Sequence, residues 1–297
     1  MIYQNPLAYL LGLEGLALLR AWGGDFDEGF VRRRLAEVQK LLDAEALAGH
    51  DGVLVARNDT RTGYAQWAAG YDTPRNSLFD FDEPVMHEII DALPPGEALD
   101  ACCGTGRYAE YLAGRGHRVI GVDSSPDMLE RARQRVPSGD FREADIRTLP
   151  LPDRSVDLVV SALALTHLPD LGPVLAEFAR VLRPGGSVVI SEAHCEIVVR
   201  GSVPHALGPD GEPGLTTSYR HRPGDYVRAA LAAGLQVRRC EEPGGSYDQS
   251  PPPPPPAEYQ VGDWADWPWS LLELIPEASR AAWAVPSTII WHFARPS

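Results

Sequence analysis

Between Pro94 and Ala193, short apolar stretches alternate with amphipathic ones, and no other feature of the chain constrains its fold as strongly. EALDACC, HRVIGVD, GDFREAD, SVDLVVSAL and SVVISEA have the length and composition of strands. Most stretches between them read as helices, and LGPVLAEFARVL places its apolar residues on one helical face. This alternation predicts a Rossmann-like α/β fold with a doubly wound, mostly parallel sheet.

Local signals set the element boundaries. Ser125 is the expected N-cap of SSPDMLERARQR, with Pro126 at the first helical position. Further along, PGDYVRAALAAG reads as a helix ended by Gly234, LQVRRCEE as a sixth strand and STIIWHFA as the last strand. With the five segments above, these two strands give a predicted sheet of seven strands.

The first 48 residues are expected to be helical. MIYQNPLAYLLGLEGLALLRAW is apolar, but Glu14 interrupts it and it lacks a basic start and a cleavage signal. We interpret it as a buried amphipathic helix, not a signal peptide or membrane span, which favours a cytoplasmic protein. EPVMHEIIDAL is a further predicted helix with Pro84 near its first turn.

These patterns divide the chain in two. Residues 1–92 are expected to form an N-terminal helical or lid region, and residues 93–297 the α/β domain. Residues 243–284 form an insertion between the last two strands, with a six-proline run and a tryptophan-rich stretch. The proline run is expected to be a stiff, exposed spacer, and a site for a proline-recognising partner stays open.

Charge and residue usage exclude several functions. The net charge of −14 disfavours nucleic acids and anionic membranes as partners and leaves small molecules. Lys40 is the only lysine, so no GxxxxGK phosphate loop, Schiff-base lysine or Tyr-x-x-x-Lys pair can form. The four cysteines contain no C-x-x-C, and no metal site is expected. A homodimer and a monomer both stay open.

The segment LDACCGTGRY carries the chemistry. Gly104 and Gly106 open a helix directly after a strand, and Asp123 ends the next strand. Those features alone fit a dinucleotide site equally well. Asp100 favours another ligand, because a carboxylate before the loop repels a pyrophosphate and attracts a cation. S-adenosylmethionine has the ribose and adenine of NAD, no phosphate, and two positive centres.

The same segment resembles the first motif of class I S-adenosylmethionine-dependent methyltransferases, D-x-G-x-G-x-G, with Cys102 in place of the first glycine. GVDSSPDML and EADIRTLPLPDRSVDLVV are similar to the two segments that follow in that family, and FARVLRPGGSVVIS to its fifth-strand region. The resemblance covers residues 94–192 and implies that the last strand is antiparallel. It also requires that residue 102 does not adopt a backbone conformation reserved for glycine.

The resemblance implies a set of cofactor contacts. Asp123 would bind the ribose, Met128 would lie near the adenine, Asp145 would contact the adenine amino group and Ile146 would pack on the ring. Tyr71 or Trp67 would line the pocket, and Arg75 would meet the cofactor carboxylate. The full predicted set is Tyr71, Arg75, Asp100, Cys102, Gly104, Thr105, Gly106, Asp123, Ser124, Met128, Asp145, Ile146 and Ser161.

Two histidines are candidates for a general base. His167 follows the fourth strand and His194 the fifth, at the edge where such sheets place their active sites. Either imidazole suits a proton transfer near neutral pH. His205, Tyr219 and His221 lie in a segment that covers the substrate in relatives.

We expect methyl transfer to O or N of a small organic acceptor, such as a specialised metabolite, in a pocket with aromatic walls. Trp264, Trp267, Trp269, Tyr219 and Trp283 are the candidates for those walls. Three alternatives stay open: a cyclase that uses bound S-adenosylmethionine without methyl transfer, an NAD-dependent oxidoreductase, and a non-catalytic partner subunit.

Overall fold

We describe a computed structural model that covers residues 1–60, 63, 76–208 and 210–297. In those residues the helices are α1 (Pro6–Trp22), α2 (Glu28–Asp43), α3 (Glu45–Ala48), α4 (Phe79–Asp91), α5 (Arg107–Gly114), α6 (Pro126–Arg135), α7 (Gly172–Val181), α8 (Cys195–Val199), α9 (Pro223–Ala232), α10 (Trp269–Leu272) and α11 (Pro276–Trp283). The strands are β1 (Ile2–Gln4), β2 (Val53–Asn58), β3 (Glu97–Ala101), β4 (Arg118–Asp123), β5 (Asp140–Glu143), β6 (Val156–Ala162), β7 (Leu182–Ala193), β8 (His205–Leu207), β9 (Pro213–Thr216), β10 (Gln236–Glu241) and β11 (Thr288–Ala294).

The chain packs as two compact units, each built from separate pieces of sequence. The first unit contains residues 1–58, 200–216 and 245–285, and the second contains residues 59–199, 217–244 and 286–297. This division differs from the predicted boundary at residue 92, because α4 belongs to the second unit and most of the insertion to the first. The division is set by contacts between segments that are far apart in the sequence. Composition does not reveal such contacts.

The second unit contains a seven-stranded sheet in the order β10-β11-β7-β6-β3-β4-β5. β11 runs antiparallel to both β7 and β10, and the other neighbouring pairs are parallel. The predicted Rossmann-like fold and its antiparallel last strand are therefore confirmed. Ser125 caps α6 as predicted, accepting a hydrogen bond from the Met128 N–H at 3.4 Å.

Both faces of this sheet are buried, and side chains alternate between two hydrophobic cores. On β6, Val159 faces the core shared with α7 and α9, whereas Leu158 and Val160 face the core shared with α4, α5 and α6. The same alternation along β3, β7 and β11 follows from the two-residue period of a strand. Apolar strands buried on both faces are what a doubly wound sheet requires.

The first unit combines α1, α2, α3, α10 and α11 with a four-stranded sheet in the order β1-β2-β9-β8. Leu10 and Leu13 of α1 share a core with Trp267 and Leu271 of the insertion. Within the tryptophan-rich stretch, Trp267 is buried in this core, Trp264 is partly buried against it and Trp269 is 50% exposed. No helix among the described residues is both long and apolar enough to cross a membrane.

Two helical expectations need correction. The first 48 residues include a strand, β1, whose Ile2 lies opposite Val55 of β2. Pro84 is not near the first turn of its helix, because α4 begins at Phe79 and Pro84 lies inside it.

Candidate cofactor and active site

The loop after β3 depends on backbone conformations that favour glycine. Gly104 has a φ of +53° and Gly106 a φ of +87°. Cys102 has a φ of +59°, in the left-handed region that favours glycine but is not reserved for it. A non-glycine residue in this region costs about 1–2 kcal/mol, and the neighbouring loop contacts must compensate for it.

The two glycines differ in their surroundings. A Cβ on Gly106 would lie 3.1 Å from the Ala132 Cα and 3.2 Å from its Cβ, so Gly106 allows α5 and α6 to approach each other. Among the described residues, no atom lies within 4 Å of a Cβ built on Gly104. Gly106 is therefore needed for the packing of α5 against α6, whereas Gly104 has free space beside it among the described residues.

Alanine at these two positions gives a matched pair of variants. We expect Gly106→Ala to lower the free energy of unfolding by about 3 kcal/mol, because backbone strain adds to steric overlap. Gly104→Ala should cost only about 1 kcal/mol from its positive φ. Since Gly104 lines the cavity described below, its methyl group should weaken S-adenosylhomocysteine binding at least tenfold. Urea unfolding and calorimetric titration would measure the two effects. Equal destabilisation by both variants would contradict this assignment.

Asp123, at the end of β4, holds the glycine loop in place. Its carboxylate accepts hydrogen bonds from the Gly104 N–H and the Ser125 N–H, both at 2.9 Å. Burial raises the pKa of Asp123 above its usual value, and the hydrogen bonds from these backbone N–H groups offset only part of that rise. The predicted ribose ligand therefore also fixes the loop on which the cofactor would rest.

Asp100 supports the next helix. It is 2% exposed, and its carboxylate accepts a hydrogen bond from the backbone of Ala109 in α5. Its Oδ2 is buried and has no hydrogen-bond partner among the described residues. Burial raises its pKa to about 7, so at neutral pH Asp100 carries less charge than the sequence argument assumed.

A cavity of about 310 Å³ opens beside this loop, at the carboxyl ends of β4 and β6. The predicted residues that line it are Cys102, Gly104, Asp123, Ser124, Met128, Asp145, Ile146 and His167. Five other predicted residues are not among its described lining, namely Asp100, Thr105, Gly106, Ser161 and His194. Tyr71, Arg75 and Trp67 lie outside the described residues.

Sequence reasoning missed Asp59 and Arg147 at this cavity. Asp145 and Arg147 form an ion pair, with the Arg147 Nη2 2.5 Å from the Asp145 Oδ2. This arginine lowers the pKa of Asp145 and keeps it charged. The spacing of two residues was visible in the sequence, but nothing there showed that Arg147 would face the cavity.

The donor set of the cavity fits S-adenosylmethionine better than a dinucleotide. Three carboxylates and one arginine are the charged groups among its described lining. A pyrophosphate needs N–H donors or cations, whereas a sulfonium and an ammonium are attracted by carboxylates.

His167 has the tautomer that a base requires. Its Nδ1 lies 2.9 Å from the carbonyl oxygen of Thr217. Because a carbonyl only accepts, Nδ1 carries the proton, and the lone pair of the neutral ring is on Nε2. Burial lowers the pKa of His167, so the ring is neutral at pH 7.

Glu192 on β7 positions the loop that carries His167, and sequence reasoning missed it. Its Oε1 accepts from the N–H groups of Ala164, at 2.9 Å, and Leu165, at 2.6 Å. Its Oε2 accepts from the Thr166 N–H at 3.1 Å. Glu192 is fully buried, and this burial raises its pKa to about 7. The sequence signal that could have revealed Glu192 is an acidic residue within an otherwise apolar strand.

His194 has a different environment from His167. Its Nε2 lies 2.9 Å from Glu242 Oε1, and its Nδ1 accepts from the Glu196 N–H at 3.2 Å. Its Nδ1 therefore holds the first turn of α8, and its Nε2 is paired with Glu242, which follows β10. His194 plays no part in the function proposed below.

The paired cysteines have no chemical role in this arrangement. Burial and nearby carboxylates raise the thiol pKa of Cys102 and Cys103 well above the usual value, so both stay protonated. Across the described residues, no group of three or more His, Cys, Asp or Glu side chains is arranged to hold a metal ion.

Comparisons with known proteins agree with this geometry. Residues 99–190 match a family model described as a methyltransferase domain. The chain is 46% identical over 93 residues to the malonyl-[acyl-carrier protein] O-methyltransferase of Yersinia pestis, which is 31% of this chain and 35% of that protein. The chain thus spans about a third of that relative's length.

Solved structures show the same fold at low sequence identity. A putative methyltransferase of Haloferax volcanii, in complex with the Trm112 activator, has a TM-score of 0.54 at 22% identity, over 80% of this chain and 100% of the other. The DhpI–SAH complex has a TM-score of 0.52 at 22% identity, over 79% and 93% of the two chains. Residues 99–190 therefore match a methyltransferase domain in sequence, and the solved structures of methyltransferases share the fold of this chain.

Proposed function

We propose that the chain transfers the methyl group of S-adenosylmethionine to an oxygen or nitrogen of a small organic acceptor. The observation that carries the proposal is the cavity at the glycine loop, where acidic groups and the neutral His167 line one space. The methyltransferase GfsG of Streptomyces halstedii is 38% identical over 125 residues, which are 40% of this chain and 44% of that protein, and its name supports the methyl-transfer part of the proposal.

The chain's own residues would contribute binding and one proton transfer. Asp123 and the glycine loop would hold the adenosine part, with Ile146 and Met128 as its apolar walls. The sulfonium supplies an activated leaving group when the cofactor is bound. His167 Nε2 would take the proton of an acceptor hydroxyl as its oxygen bonds to the methyl carbon, or would deprotonate an acceptor ammonium before its nitrogen attacks. In either case the sulfur–methyl bond would break and S-adenosylhomocysteine would leave.

Ligand titration tests the cofactor part of this proposal. We expect S-adenosylhomocysteine to bind with a micromolar or lower dissociation constant and NAD to bind at least a hundredfold more weakly, because NAD brings two phosphates to an acidic cavity. Isothermal titration calorimetry at 0.15 M salt would measure both. Tight NAD binding without S-adenosylhomocysteine binding would instead indicate an oxidoreductase.

Transfer of labelled methyl tests the reaction itself. Protein, methyl-labelled S-adenosylmethionine and a panel of phenols and amines should yield a labelled product together with S-adenosylhomocysteine. If the cofactor binds but the label remains on it with every acceptor, the cyclase alternative or a non-catalytic subunit gains support.

A further inference from the structure

The first unit contains a second cavity, of about 320 Å³, whose described lining includes five aromatic side chains. Tyr3, Tyr9, His205, Trp264 and Trp267 supply its rings. All of its described lining belongs to the first unit, and it shares no lining residue with the cofactor cavity. Its volume is near the lower end of the roughly 300–1,000 Å³ range of small-molecule sites, which suits one or two fused rings.

Hydrogen bonds fix the orientation of these rings. Trp264 Nε1 donates to Gln4 Oε1 at 2.7 Å, and Trp267 Nε1 donates to the Val261 carbonyl at 3.0 Å. The His205 ring packs edge-on against Trp264, with centroids 5.2 Å apart. Rings held in place lose little conformational entropy when a planar ligand packs on them, which favours binding.

Most polar groups of the cavity are occupied by the protein. The Tyr9 hydroxyl donates to the Arg200 carbonyl at 3.0 Å, and His205 Nε2 donates to the Ala265 carbonyl at 2.7 Å. Because the Gln4 oxygen accepts from Trp264, the other end of that amide is a donor. The cavity therefore has aromatic faces, and one of its lining residues, Gln4, carries an amide N–H donor.

The described lining of the cavity also has no charged side chain that could pair with an ionic ligand. No Asp, Glu, Lys or Arg occurs among the described residues that line it. An ion entering it would lose hydration without gaining a counter-charge, which is costly. A neutral ring would instead gain from the burial of apolar surface and from aromatic contacts.

We propose that this cavity is a binding site for an uncharged, planar aromatic molecule that carries a hydrogen-bond acceptor. The site is independent of the cofactor cavity and does not require the proposed reaction. The expected ligand lies against the Trp264 and Tyr9 rings and accepts a hydrogen bond from the Gln4 amide.

The probe for this proposal is 2-naphthol, with naphthalene-2-sulfonate as its charged counterpart. Calorimetric titration of the full chain should show saturable 2-naphthol binding and at least tenfold weaker binding of the sulfonate. In Ala8→Trp, a new indole on a cavity-lining residue at the start of α1 should weaken 2-naphthol binding at least tenfold. Ala36→Trp, on an exposed position of α2 that does not line the cavity, is the matched control and should bind like the wild type.

Trp264→Phe provides a second variant that keeps a ring but removes the bond to Gln4, and it should weaken binding about threefold to tenfold. The far-ultraviolet circular dichroism and melting temperature of each variant establish that it folds. The proposal is overturned if 2-naphthol does not bind, if the sulfonate binds as tightly, or if Ala8→Trp and Ala36→Trp behave alike. Titration with S-adenosylhomocysteine in the same samples tests the proposed function separately, since its result does not depend on the aromatic cavity.

Discussion

Replacement of His167 by asparagine should lower the kcat of methyl transfer by about 10²- to 10⁴-fold, the usual range for loss of a general base. The asparagine amide can still donate to the Thr217 carbonyl, as His167 Nδ1 does, but it has no basic nitrogen in place of Nε2. Its S-adenosylhomocysteine affinity should therefore stay within about threefold of the wild type. Steady-state kinetics and calorimetry would separate the two effects.

The pH profile sharpens this prediction. A base acts in its neutral form, so the rate should rise with pH as His167 loses its proton. Because burial lowers its pKa from the ordinary 6.5, the acid limb should lie below pH 6.5. That limb should disappear in His167→Asn. An unchanged kcat and an unchanged acid limb would show that the acceptor arrives deprotonated or that another group takes the proton.

Replacement of Glu192 by alanine should lower the free energy of unfolding by on the order of 3–5 kcal/mol. Three backbone N–H groups lose their acceptor in a buried place, and each unsatisfied group costs about 1–3 kcal/mol, partly offset where water enters. The same loop lines the cofactor cavity, so the affinity for S-adenosylhomocysteine should fall at least tenfold. Urea unfolding and calorimetry would measure these changes.

Glu192→Gln is the matched control. Its amide oxygen can keep the bonds from Ala164 and Leu165, whereas its NH₂ group faces the Thr166 N–H as a second donor. We therefore expect a loss smaller than that of Glu192→Ala. If glutamine and alanine are equally disruptive, the negative charge matters more than the geometry of the three bonds.

The central sheet could be predicted from the sequence because its signals are local. Ser125 and Pro126 mark the start of α6, and the apolar run of β6 indicates a strand buried on both faces. The residues at the carboxyl ends of these strands were predicted for the same reason. Asp123 ends β4, and His167 lies shortly after β6.

The rest depends on contacts that the sequence does not display. β2 pairs with β9, as in Ala56 opposite Gly214, and such short strands have no pattern that marks their partner. The strain at Cys102 was missed because a cysteine in a glycine position does not reveal its φ. Glu192 was missed because its three partners come from the end of another strand.

The composition of the first unit also affects the order in which the chain folds on the ribosome. Residues 99–190, with the glycine loop and His167, are synthesised before β8 and β9 exist. Until residues 213–216 emerge, β2 can pair only with β1 and keeps an unpaired edge that can associate with other chains. The edge of β2 is thus exposed while residues 59–216 are synthesised, and slower synthesis of that stretch would prolong the exposure.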